Sequence, residues 1–277
     1  MAATTQLPAS ARPGARPVQR GRAGFSGALR SEFTKIRSVR STYWTLLALI
    51  VVTVGIGALS CLGAVSRGAD HGPNFDPAFR SLVGLFLGQL IIAVLGALTI
   101  TSEYATGMIR TSLTVQPRRG TLFAAKAVVF AVISLVTGLV ASFASFFIGQ
   151  AILSGQHLNT TLSQPHVLRA VIGGGLFLAA CGLLSFGLGA VLRHTAAAIT
   201  AAIGLLFVLT ILTNFLPQSW QVHVDKWIPA NAGSQIWTVV TDPTAHLFSA
   251  WVGFGVFVAY AAIAIGAGFI LFRKRDA

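Results

Sequence analysis

The residues with the clearest chemical character lie in one polar stretch, residues 101–126, between two long apolar segments. The stretch holds a carboxylate, Glu103, and a guanidinium, Arg110. These two residues are about two helical turns apart, so a helix over residues 103–115 would point both charges the same way. Opposite charges on one exposed helix face suit contact with a partner protein. A solvated loop between two spans is the alternative.

Proline marks the end of this predicted helix. Pro117 has no backbone N–H and disfavours helical geometry at Gln116, so the helix should stop there. Arg118 and Arg119 follow at once. A short amphipathic helix with a basic exit can lie in a membrane interface or offer its polar face to another protein.

The sequence lacks the common motifs for catalysis and nucleotide binding. There is no GxxxxGK[ST] for ATP phosphates and no HExxH for zinc. All six histidines fall in loops or at the ends of apolar segments, so an intramembrane serine protease would lack its base. Cys61 and Cys181 lie in apolar runs without a second thiol or a histidine at ligand spacing. We expect this chain not to be an enzyme and to bind no metal or cofactor.

The composition is that of a membrane protein. The 277 residues are 54% hydrophobic and only 10% charged, too few charges for the surface of a soluble protein of this size. An apolar helix of about 20 residues crosses the hydrocarbon core of a bilayer. Residues 43–277 should therefore form an all-α transmembrane domain. Its six spans are predicted at about residues 43–65, 81–101, 127–153, 170–192, 195–216 and 248–272.

Two different segments precede the first span. Residues 1–22 combine proline, glycine and arginine without an apolar period, which predicts a disordered basic arm. Residues 23–42 predict an amphipathic helix lying along an anionic membrane surface. Its apolar side chains recur at helical spacing: Phe25, Leu29, Phe33 and Ile36.

The formal net charge of +13 is distributed very unevenly along the chain. Most basic residues lie in the N-terminal region, in residues 101–126 and in residues 273–275, all on one side of the predicted membrane. The positive-inside rule then places both termini in the cytoplasm. Because each basic cluster flanks a span, we expect no nucleic-acid partner. Residues 217–246 carry three tryptophans, which predicts interfacial or re-entrant segments on the other side.

Small and polar residues within the spans indicate how the helices pack. Gly84 and Gly88 form a GxxxG pair that could serve packing within the chain or a dimer. Gln89 could line a transport path or hydrogen-bond to a neighbouring helix. No charged residue lies near the midpoint of any span, which disfavours an ion-coupled carrier.

From Phe25 onward the chain resembles the membrane subunit of ABC-2 type ABC transporters, a permease group typical of bacterial export systems. The resemblance rests on the amphipathic segment before the first span and on the polar stretch after the second. Met108 departs from the threonine that is common in the family. The positions of the polar stretch that match the family pattern are Glu103, Tyr104, Gly107, Ile109, Arg110, Leu113, Pro117, Arg119, Ala125 and Lys126.

The resemblance implies a coupling helix within residues 101–126, and a separate subunit that binds and hydrolyses ATP. It also implies a homodimer of permease chains in the bacterial plasma membrane that exports a hydrophobic or amphipathic compound. A membrane sensor or assembly component that uses an ATPase without moving a solute, and a secondary carrier, remain alternatives. The resemblance assigns the ATPase contact to Glu103, Tyr104, Gly107, Arg110, Pro117 and Arg119.

Overall fold

A computed structural model describes residues 24–66, 75–108, 119–240 and 247–274. Within these ranges the chain is helical and has no β-strand. Among these described residues, six helical segments are long and apolar enough to cross a membrane, which confirms the predicted all-α, six-span architecture. The arm predicted over residues 1–22 lies outside the described residues.

The first, third, fourth and sixth spans are single helices, whereas the second and fifth are built from shorter pieces. The second span joins α3 (Pro77–Leu82) to α4 (Leu85–Ala105), and the fifth joins α7 (Thr195–Ile203) to α8 (Leu209–Thr213) through a π-helical turn, Gly204–Val208. In chain order the helices are α1 (Phe25–Ser38), α2 (Arg40–Val65), α3 (Pro77–Leu82), α4 (Leu85–Ala105), α5 (Arg119–Ser154), α6 (Val167–Leu192), α7 (Thr195–Ile203), α8 (Leu209–Thr213), α9 (Gln218–Val224), α10 (Pro229–Ser234) and α11 (Ala250–Lys274).

Local sequence explains two of these boundaries. Pro77 opens α3 at a position where a missing N–H costs nothing, and the Asp76 carboxylate caps the helix by accepting a hydrogen bond from Phe79 N at 2.9 Å. A single residue with an extended backbone, Val39, separates α1 from α2. This single residue allows α1 to depart from the axis of the first span.

The fourth span is the central helix of the bundle. α6 is the most buried of the six spans and packs against α4, α5 and α11. Its glycines allow backbones to approach closely, as in other membrane helix pairs. A β-carbon on Gly187 would collide with the backbone of Ala264 in α11, and one on Gly175 would collide with Leu139 in α5.

Contacts among the helix ends define two opposite ends of the bundle. We call the end that holds Lys126, Arg193 and Arg273 the basic end. There the Arg193 guanidinium donates a hydrogen bond to the carbonyl oxygen of Leu271 at 3.1 Å. At the opposite end Arg169 donates to the carbonyl oxygen of Thr238 at 2.7 Å.

The segment between the fifth and sixth spans folds back onto the opposite end through α9 and α10. Trp237, which the sequence suggested as one of three interfacial aromatics, is instead fully buried. Its ring lies 5.5 Å from that of Phe79 and 5.1 Å from that of Phe86. Trp220 and Trp227 remain exposed. The difference arises because the fold brings Trp237 against the second span, a long-range contact that composition does not reveal.

Candidate functional site

Four charged side chains from three helices meet at the basic end. Glu32 and Lys35 come from α1, Glu103 from the last turn of α4, and Lys126 from the early part of α5. We call these four residues the ion cluster. It holds two carboxylates and two ammonium groups, so its net formal charge is zero.

The Lys126 ammonium group lies between two carboxylates. Its Nζ donates to Glu32 Oε2 at 2.6 Å and to Glu103 Oε1 at 2.8 Å. Both distances are those of charge-assisted hydrogen bonds. Lys126 therefore joins α5 to both α1 and α4.

Lys35 pairs with the same two carboxylates from the other side. Its Nζ lies 3.0 Å from Glu103 Oε1 and 3.2 Å from Glu32 Oε1. Burial lowers the pKa of the Lys35 ammonium, but the carboxylates of Glu103 and Glu32 outweigh burial, so its pKa lies above the usual value. Lys35 is consequently a permanent cation at physiological pH.

The cluster is largely removed from solvent. Glu32 is 1% exposed, Lys126 5% and Glu103 6%, whereas about a third of the Lys35 side chain is accessible. Taking charges out of water is costly, and their mutual attraction repays this cost only with close, well-hydrogen-bonded geometry. Removing one partner leaves an uncompensated buried charge, so the three helices are held in one arrangement at this point.

The sequence of α1 explains how Glu32 reaches the interior. Ala28 lies one turn before Glu32 on the same helix face, and both are buried. The small side chain of Ala28 leaves room for α1 to approach α5. Phe25 and Phe33 lie on a different face of α1 from Glu32 and are about half exposed. That α1 lies along a membrane surface as an amphipathic helix stays a prediction.

Sequence reasoning missed Glu32 altogether. It also treated Lys126 only as a basic flank of the third span and as part of the family pattern. One signal was available: the chain has only seven acidic residues, and Glu32 is the single one within a basic helix, three residues before Lys35. Such a rare acid would have been a reasonable candidate for a specific partner.

The single helix predicted over residues 103–115 is wrong. α4 ends at Ala105, and Gly107 adopts a left-handed backbone with φ of +69°. Glycine is the residue that best tolerates this conformation, and it commonly follows a helix end. Glu103 therefore belongs to the end of the second span and does not share one continuous helix with Arg110. Residues 109–118 lie outside the described residues.

The predicted ATPase-contact residues separate into three groups in the structure. Glu103 is in the ion cluster and contacts Lys35 of α1 and Lys126 of α5. It therefore does not lie on the exposed docking face that was predicted for a helix over residues 103–115. Tyr104 packs its ring 5.0 Å from the Arg193 guanidinium, which joins α4 to the end of α6. Arg119 is the first residue of α5. Gly107 forms the break described above, and Arg110 and Pro117 lie outside the described residues.

The GxxxG pair packs within this chain. A β-carbon on Gly84 would collide with the backbone of Thr53 in α2, and one on Gly88 would come within 2.6 Å of Thr53 Oγ1 and 3.3 Å of Leu49. The sequence left open whether this pair serves packing within the chain or a dimer. These contacts are evidence for close packing between the first and second spans.

Gln89 is buried between the second and fourth spans. Only 2% of the residue is exposed, and its Oε1 lies 4.0 Å from Cys181 Sγ in α6. The side chain therefore faces a neighbouring helix in this structure.

These features define an all-α polytopic membrane protein with a buried ion cluster at one end. The sequence model of a family described as ABC-2 family transporter protein matches residues 28–217, which contain the ion cluster and the first five spans. The chain belongs to the ABC-2 transporter family. It is a membrane transport subunit of a kind that normally works with an ATP-binding subunit and is generally not itself catalytic. A search of curated proteins found no match.

Proposed function

We propose that this chain is the permease subunit of an ABC-2 exporter, driven by ATP that a separate subunit hydrolyses. The observation that carries the proposal is the family match over residues 28–217. The missing phosphate-binding motif supports it, because an ABC permease without a nucleotide site of its own requires a partner that has one.

The ion cluster offers a physical route for coupling. α4 and α5 flank residues 109–118, and the short bonds of Lys126 tie both helices to α1. A force applied to the flanked segment would therefore reach two spans and the amphipathic helix together, as expected of a rigid-body transition. In this mechanism Arg110, Pro117 and Arg119 remain the candidates for direct ATPase contact. Glu103 and Tyr104 transmit the force from inside the fold.

The cargo we propose is a hydrophobic or amphipathic compound. The spans contain no charged residue near their midpoints, so a path between them would be apolar. Two copies of the chain would pair and enclose that path, with export as the direction that the family resemblance implies. The basic end would face the cytoplasm of a bacterium, since the positive-inside rule places most lysines and arginines there.

Affinity purification of the full chain from its native membrane in mild detergent is the first test. We expect a stoichiometric partner that carries a phosphate-binding loop, and we expect ATP-dependent movement of a hydrophobic compound after both are reconstituted in vesicles. Association with such a partner without movement of any compound would favour the alternative of a membrane sensor or assembly component. A chain that purifies alone, even after crosslinking, would contradict the proposal.

A charge reversal at Arg110 tests the coupling surface. Arg110→Glu should weaken association with the ATPase while leaving membrane insertion intact. Lys274→Glu is the matched control, because Lys274 is an exposed cation at the basic end on a different helix. Equal association of both variants with the ATPase would remove Arg110 from the coupling surface.

A further inference from the structure

A groove of about 260 Å³ opens where α1 meets the first and third spans. Apolar side chains from all three helices line most of it: Phe33 and Ile36 from α1, Leu46 from α2, and Ile133 from α5. Typical pockets for drug-sized ligands hold roughly 300–1,000 Å³. The groove is therefore better matched to one hydrocarbon chain than to a bulky compound.

Part of the groove is polar. Arg37, Thr42 and Tyr43 contribute its remaining lining, and no carboxylate is among the lining residues. Within the described parts of the chain, Arg37 has no ion-pair partner. The one acidic residue of α1, Glu32, is already bound by Lys35 and Lys126 in the ion cluster.

The backbone explains why the groove exists. The extended residue Val39 separates α1 from α2, so the two helices diverge from a shared point. The bond from Lys126 to Glu32 holds α1 against α5. The space between the diverging helices is thus bounded on three sides and is part of the fold.

We propose that this groove binds one anionic phospholipid. The phosphate group lies at the Arg37 guanidinium, with the hydroxyl groups of Thr42 and Tyr43 as further donors. One acyl chain runs along Phe33, Ile36, Leu46 and Ile133. The polar and the apolar lining residues match the two parts of a lipid. The cation without a compensating carboxylate favours an anionic headgroup over a zwitterionic one.

The site requires only that the chain spans a membrane, so it is independent of the transport proposal. Its position gives the lipid a structural role, because the groove is bounded by the amphipathic helix that the ion cluster connects to α4 and α5. A bound lipid would brace α1 against the first and third spans.

Native mass spectrometry of the full chain in detergent tests the headgroup preference. The probes are dioleoyl phosphatidylglycerol and dioleoyl phosphatidylcholine at equal concentration. We expect stronger retention of the anionic lipid, and a loss of about fivefold in its affinity in Arg37→Gln, the effect of one cation near a phosphate. Arg30→Gln is the matched control, since Arg30 is an exposed arginine of α1 that does not line the groove.

A second pair of variants tests the acyl-chain site. Ile133→Trp should fill the groove and reduce binding of the anionic lipid, whereas Val132→Trp should not, because Val132 is 55% exposed and does not line the groove. Thermal unfolding in detergent identifies any variant that fails to fold. Three outcomes would each overturn the proposal. The chain could retain both lipids equally, Arg30→Gln and Arg37→Gln could lose the same affinity for the anionic lipid, or a folded Ile133→Trp could bind that lipid as the wild type does. So would a dimer that buries the groove and excludes lipid.

Discussion

Lys126 Nζ lies 2.6 Å from Glu32 Oε2, although 94 residues separate the two along the chain. This bond connects a helix outside the spans to the start of the third span. Because Lys126 also bonds Glu103, the end of the second span takes part in the same arrangement. The relationship gives the basic end a defined geometry that helix packing alone would not provide.

The first prediction concerns the cost of opening the ion cluster. Lys126→Met keeps much of the side chain's length but leaves Glu32 and Glu103 with Lys35 alone. Breaking a buried pair costs about 3–5 kcal/mol, so we expect the free energy of unfolding in detergent to fall by that order. Lys35→Met is the comparison within the cluster. About a third of the Lys35 side chain is exposed, so water can partly replace its ammonium group beside the carboxylates, and its removal should cost about 1 kcal/mol. Equal losses in the two variants would contradict the central role of Lys126.

The spans were predictable from sequence because lipid imposes a simple rule on length and apolarity. Their exact starts were not. The third span was predicted from residue 127, yet α5 begins at Arg119. Hydropathy excludes Arg119 and Lys126, although the intervening Leu122 and Phe123 are buried. A helix can continue past the apolar segment when its polar residues find partners.

The ion cluster was not predictable for a different reason. Glu103 was identified, but its partners lie on two other helices, and periodicity along one helix says nothing about which neighbour a side chain meets. The predicted helix over residues 103–115 also required helical geometry to continue through Gly107. A glycine near the end of an apolar span commonly marks the end of a helix. Gly107 therefore predicts a helix end between Glu103 and Arg110.

The second prediction concerns the close approach of the first two spans. Gly84→Ala would place a methyl group against the Thr53 backbone. Overpacking of this kind costs about 1–3 kcal/mol, so the melting temperature in detergent should fall. Gly55→Ala is the matched control, since a β-carbon there meets nothing within 4 Å. It should be neutral or slightly stabilising. A loss of dimer with unchanged unfolding in Gly84→Ala would instead indicate a role between chains.

The third prediction concerns pH and Lys35. The two carboxylates hold the pKa of Lys35 above the ordinary value for a lysine, so its stabilising contribution is fully present below the unfolded-state pKa. That contribution is lost as the pH rises through the folded-state pKa. Lys35→Arg retains a cation throughout this range. The melting temperature of the wild type relative to Lys35→Arg should therefore stay constant from pH 7 to about 10 and decline only above that. A decline near neutral pH would show that Lys35 is not held as a cation by its two carboxylates.

The last prediction concerns the aromatic group at the opposite end. Trp237 is fully buried against Phe79, Phe86 and Phe177. Replacing a large buried aromatic residue with alanine leaves a cavity and costs about 3–5 kcal/mol. We therefore expect Trp237→Ala to lower the melting temperature in detergent far more than Trp220→Ala, because Trp220 is 64% exposed. If the two tryptophans were both interfacial anchors, as their composition alone suggested, the two substitutions would have similar effects. The comparison therefore measures directly whether the segment after the fifth span is part of the packed core.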